Sequence, residues 1–199
     1  MLRIVMAFAL FGLLSACAVK PEHPFTDREI AAARFVADAP PEIVLYTMKN
    51  ARGGGAHSAL LVNASQRVIF DPAGSFRSET IPRRGDVVFG VTPHMLEVYE
   101  QYHSSDGFYI IRQRLPVAAD TAEALLAEVL AAGRIPDAMC ALSVSRALDS
   151  RPETAVGQTW FPNTLEDRFA RLPGVSRSER RGGVAGPDSF VLAETVAAE

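Results

Sequence analysis

Only Asn63-Ala64-Ser65-Gln66 separates two β-rich runs, His57 to Val62 and Arg67 to Asp71, and that brevity constrains the fold more than any other feature of the chain. Strands joined by so few residues must lie side by side and run in opposite directions, because a parallel crossover needs a dozen residues or more. Ile43 to Met48 reads as a preceding strand, and Asp86 to Val91 and Phe108 to Leu115 as later ones. Helical signals interrupt them irregularly. Thr26 with Glu29 is a capping-box signature opening a helix through about Ala37, and Thr92-Pro93 opens another through about His103. Asp120 with Glu123 caps a third, whose Leu125, Leu126, Val129 and Leu130 make an apolar stripe ending at Gly133. Pro136-Asp137 starts a fourth, carrying Met139, Cys140, Val144, Ala147 and Leu148, and Asn163 with Glu166 caps a fifth through about Arg171. Ser176 to Ser189 has the Ser, Arg, Gly and Asp content of a solvated loop, and Phe190 to Val196 supplies a last short apolar element. The expectation is an α+β fold with an antiparallel sheet packed against helices.

At 48% hydrophobic and 22% charged, the 199 residues carry enough apolar material for a core, which excludes disorder, collagen and a bare coiled coil. Twenty basic against 23 acidic residues, with no dense basic block, exclude nucleic acid as the expected partner. Two cysteines far apart make no multi-bridge disulfide scaffold. Gly53-Gly54-Gly55 lacks the following Lys-Ser/Thr pair of a phosphate-binding loop, and no His, Cys, Asp or Glu pair falls at a zinc spacing. No cofactor and no metal are therefore expected.

Arg3 and the apolar run from Ile4 to Leu14 have the basic start and short hydrophobic middle of a secretory signal, well below the ~20 residues that span a bilayer. Leu14-Ser15-Ala16-Cys17 matches the bacterial lipobox, which implies cleavage before Cys17 and lipid on its sulfur. The alternative is that Ala16-Cys17-Ala18 serves ordinary signal peptidase and the product is secreted. Residues 1–16 are thus read as a lipoprotein signal peptide, 17–25 as a lipidated tether and 26–199 as one domain. Arg3 is the one charge lost with the signal, so 19 basic residues face 23 acidic ones in a mildly acidic mature body. Acyl chains, at about 0.8 kcal/mol per buried methylene, hold such a body to a membrane without a basic patch. Ala18 rather than Asp after the cysteine resembles an outer-membrane address facing the periplasm.

With Cys17 acylated, Cys140 is the one free thiol of the mature chain in an oxidising compartment. Near a helix start, backbone N–H groups and the positive dipole end favour its thiolate, while Asp137 opposes it. The plain alternative is that Cys140, Val144, Ala147 and Leu148 share one packed stripe. His57 opens a strand after the glycine loop, where a cleft can reach a general base. Asp71 orients that imidazole only if the two side chains share a face of the hairpin. Pairing Asn63 with Arg67 around a three-residue loop does this, whereas pairing Asn63 with Gln66 sends them to opposite faces. Taken alone, His57 also reads as an edge histidine and Asp71-Pro72 as a turn starter. His94, just inside the helix opened by Pro93, is a fallback base. His103 near that helix's end reads as structural.

Gly55-Ala56-His57-Ser58-Ala59-Leu60-Leu61-Val62, then Val68-Ile69-Phe70-Asp71, then Cys140-Ala141-Leu142-Ser143 resemble the circularly permuted papain-like hydrolases of the NlpC-type superfamily, over about residues 43 to 172. The resemblance implies a papain-like fold in which Cys140 is the nucleophile, His57 the general base and Asp71 the orienting third residue, with the Cys140 N–H as oxyanion donor. Met139 stands where many relatives carry Asn, and their third residue is more often His, Asn or Gln. The implied activity is cleavage or transfer of an acyl group through a thioester, on peptidoglycan peptides or acyl lipids. Two other classes remain: a non-catalytic envelope protein binding partners on the same scaffold, and a thiol redox protein, which lacks the second cysteine of a C-x-x-C pair.

Overall fold

The computed structural model describes residues 25–182, so the signal segment, Cys17 with most of its tether, and the apolar stretch Phe190 to Val196 lie outside the described residues. The first helix, α1 (Asp27–Ala32), has the capping box its sequence announces, Thr26 accepting from Glu29 N–H and Glu29 accepting in return. It stops short of Ala37, well before the Pro40-Pro41 pair.

Seven strands follow: β1 (Glu42–Asn50), β2 (Gly55–Asn63), β3 (Arg67–Phe70), β4 (Arg83–Arg84), β5 (Val87–Val88), β6 (Phe108–Pro116) and β7 (Ser176–Arg181). They form one sheet in the order β4-β5-β3-β2-β1-β6-β7, every neighbouring pair antiparallel. Four helices cover it: α2 (Pro93–His103), α3 (Ala119–Ala131), α4 (Cys140–Leu148) and α5 (Pro162–Phe169). The α+β class with an antiparallel sheet against helices is thus the observed architecture.

Both faces of the central strands are apolar, which is why β1 and β2 read as continuous hydrophobic runs rather than alternating ones. One face, with Ile43, Leu45, Leu60, Val62 and Phe70, packs against Leu125, Ala141, Val144, Leu165 and Phe169 of α3, α4 and α5. The other, with Val44, Tyr46, Ala59, Leu61 and Ile69, packs against Met95, Val98 and Tyr99 of α2.

Several local expectations are corrected. The strand expected over Asp86 to Val91 is only Val87–Val88, because Asp86 and Phe89 take up bonds to the loops around them. Neither later capping box forms. Glu123 accepts from Ser65 N–H and Oγ across the β2–β3 turn, and Glu166 pairs with Lys49 at 2.8 Å. The helix expected from Pro136 begins at Cys140, after a turn at Asp137 and Ala138. Residues 176–181, expected in a loop, add an edge strand to β6. Their polarity on both faces hides a strand whose bonds are main-chain and whose charged side chains suit an edge.

Candidate active site

The β1–β2 turn sets the position of His57. Asn50 N–H donates to the Gly54 carbonyl at 2.9 Å, and Asn50 Oδ1 accepts from Gly54 N–H at 3.0 Å. Gly55 must lack a side chain, since a Cβ there would lie 2.6 Å from Asn163 Oδ1 and 2.9 Å from the Asn163 backbone nitrogen. The start of β2 is thereby held against the start of α5, and His57 stands two residues further on, at the strand's open end.

Asn63 pairs with Arg67, the three-residue-loop register, so His57 and Asp71 share a face. Their side chains meet, with Nε2 of His57 2.7 Å from Asp71 Oδ1. Tyr99 donates its hydroxyl proton to the same oxygen at 3.1 Å, and Arg83 Nη1 donates to Oδ2 at 3.2 Å. Arg83 is itself fastened to Asp86 at 2.7 Å and to the Phe76 and Asp71 carbonyls. No part of Asp71 reaches solvent. Gly74 makes this fit possible, for a Cβ there would fall 2.0 Å from Asp71 Oδ2.

Cys140 is the first residue of α4, which packs on the other face with its N-terminus over β2. Its thiol is coupled electrostatically to the His57 imidazole and to the Ser58 and Ala141 N–H groups, each of which favours the thiolate. Since Nε2 of His57 is committed to Asp71, Nδ1 is the nitrogen left for the thiol. The structure thus brings Cys140, His57 and Asp71 into one chain of contacts. Asp137 is exposed and is not among the groups holding the sulfur.

Burial works against charge on the sulfur, yet the bond and charge of His57 and the two N–H donors outweigh it and draw the thiol below its ordinary value. Burial likewise opposes protonation of His57, and hydrogen bonds to Asp71 and Cys140 reverse this, lifting the imidazole to about 9. The same burial would neutralise Asp71, but His57, His103 and Arg83 hold its carboxyl well below the usual range. These shifts all favour the charged forms, thiolate for Cys140, imidazolium for His57 and carboxylate for Asp71.

His103, read from sequence as structural, belongs to this cluster. Its ring lies nearly parallel to that of His57, 14° between planes and 6.1 Å between centroids. Burial lowers it to about 4, so it is neutral where His57 is charged. Both rings line a cleft of about 420 Å³ with Met48, Ala73, Tyr102 and Phe108, and Cys140 is not part of that lining. The sulfur belongs to a residue 7% exposed. His94 is exposed at the start of α2 and outside the cleft.

Among the described residues, the three non-glycine positions with positive φ all border this region: Ala138 (63°) two residues before Cys140, Ala73 (55°) two after Asp71, and Asp106 (53°) on the cleft wall. Left-handed backbone of this kind costs about 1–2 kcal/mol per residue and clusters where function demands it. Tyr99, Arg83 and His103 escaped sequence reasoning. A buried tyrosine needs a partner for its hydroxyl, which was a usable signal; nothing local marked Arg83. Comparisons with family models, curated proteins and solved structures return no match to this chain.

Proposed function

We propose that this chain is a cysteine-dependent amide or ester hydrolase, or an acyl transferase, built on a permuted papain-like scaffold of the NlpC type. The observation that carries the reading is His57 held 2.7 Å from Asp71, with its imidazole and the Cys140 thiol each shifting the other toward its charged form. Cys140 thiolate attacks the substrate carbonyl carbon and forms an S–C bond. The oxyanion takes N–H donors of the first α4 turn, which have no intrahelical acceptors. His57 then passes its Nδ1 proton to the departing amine or alcohol as that bond breaks, leaving a thioester. Water or an acceptor nucleophile, deprotonated by His57, resolves it. Asp71 acts by fixing the imidazole tautomer.

The acyl-enzyme chemistry is placed at the bacterial envelope by lipid on Cys17, facing the periplasm from the outer membrane. Peptidoglycan peptides are the favoured substrate class and acyl lipids the other. None of the described helices is long and apolar enough to cross a membrane, and a lipid anchor asks for none.

The test is thiol labelling. Iodoacetamide should modify Cys140 rapidly near neutral pH and at least tenfold more slowly in His57→Ala; equal slow rates would remove the catalytic reading. Asp71→Asn should lower turnover by orders of magnitude while the melting curve stays cooperative. The low exposure of Cys140, and a cleft that opens on His57 instead, favour the second reading, a non-catalytic lipid-anchored binding protein. That reading expects Cys140→Ala to leave every envelope phenotype of the chain intact.

A further inference from the structure

We propose that His57, Asp71 and His103 form a divalent-cation site, fit for Zn²⁺, that competes with the thiol–imidazole pair. One ligand atom from each residue lies within 4.8 Å of the other two. They come from three separate places: the start of β2, the residue after β3 and the last residue of α2. Two imidazoles and a carboxylate are a donor set that zinc accepts, and a cleft lined by both rings gives an approach.

His103 carries the inference. Its Nδ1 lies 2.9 Å from the Tyr99 carbonyl, which can only accept, so the proton of the neutral ring sits on Nδ1 and Nε2 offers a bare lone pair. That Nε2 is buried and has no hydrogen-bond partner. A donor capped on one nitrogen by a backbone carbonyl and left open on the other is the arrangement of metal-ligating histidines. Asp71 is supported in the same manner, its Oδ2 held by Arg83, whose charge is shared with Asp86.

Binding requires the cluster to adjust, because ligand atoms that stand up to 4.8 Å apart must close to the spacing zinc imposes. Ligands of a tetrahedral zinc at about 2.0–2.1 Å stand about 3.3 Å apart. His57 Nε2 and Asp71 Oδ1, now at 2.7 Å, must separate by roughly half an ångström, and the proton between them leaves to solvent as the ion enters. The metal then sits on the Nε2 side of His57, away from the sulfur. Cys140 loses an imidazolium partner without becoming a ligand. The binding stands apart from the hydrolase reading; only its effect on Cys140 rests on that reading.

Isothermal titration of the full chain with Zn²⁺ tests it. One ion per chain is expected, with affinity at least tenfold weaker in His103→Phe, which keeps the ring packing, and within threefold of the parent in Cys140→Ser. Undiminished affinity in His103→Phe, or binding abolished in Cys140→Ser, would overturn the site. Co²⁺ gives a readout on the unaltered chain: visible d–d bands without a thiolate-to-metal charge-transfer band. A strong charge-transfer band would transfer the ion to the sulfur and end the proposal, whatever the labelling experiment says about catalysis.

Discussion

Asp71 shows what a buried carboxylate costs and how the cost is met. Removed wholly from water, it keeps its charge through His57 and Tyr99 on one oxygen and Arg83 on the other. His103, close beside it, is favoured as a cation by the Asp71 charge and the Tyr99 carbonyl, but burial, with the charge of His57, outweighs both and the ring remains neutral. The histidines therefore respond to pH in opposite directions. His57, raised to about 9, should set an alkaline limb near pH 9 in any turnover that needs it as a proton donor, measurable as the upper pKa of a kcat/KM profile. His103 is lowered, so the unfolded chain binds its proton first as pH falls. Its contribution to stability is complete above about 6.5 and is lost as pH drops toward about 4. Thermal melts over that window should show Tm falling in the parent and falling less in His103→Phe. Carboxylates held below their ordinary values, Asp71 and Glu97 among them, also lose stability toward the acid end of that window, so the difference between parent and variant is the quantity that reports His103. His57 and Cys140 could be singled out from sequence because each stands near the start of an element that follows a glycine- or proline-bearing turn. The neutrality of His103 could not, since it depends on what surrounds the ring.

Glycines and turns, more than helix caps, aim the site at the scale of elements. Gly74 leaves the space that the Asp71 carboxylate fills, and Gly55 lets β2 approach α5. Gly74→Ala should therefore slow Cys140 labelling about as much as Asp71→Asn does, although it alters no ionisable group. Parent-like labelling would show that the carboxylate has another rotamer in reach. The β2–β3 hairpin was legible because a short connection leaves few registers, and burial of one face selects among them. The capping boxes at Asp120 and Asn163 misled because a glutamate three residues into a helix is also free to reach elsewhere. Glu123 clasps the hairpin turn and Glu166 clasps Lys49. Strand β7 was hidden for a related reason: an edge strand wet on both sides shows no alternation to read.

For the whole molecule, a seven-stranded sheet covered on both faces is the frame that holds α2 and α4 at fixed positions around the end of β2. Leu60 lies at its centre with no exposure, and Leu60→Ala should cost about 2–5 kcal/mol in urea unfolding. Cys17→Ser should release the chain from membranes in high salt if lipid alone holds it; retention would require another anchor. The features readable along the chain are local: the antiparallel hairpin, a histidine opening a strand and a cysteine beside a helix start. Each depends on turn chemistry and periodicity over a few neighbouring residues. Long-range packing alone brings Cys140 to His57, secures Asp71 with Tyr99 and Arg83, and sets His103 against them with a free lone pair. Such meetings follow from which faces of distant elements pack together, and no local pattern along the chain records that.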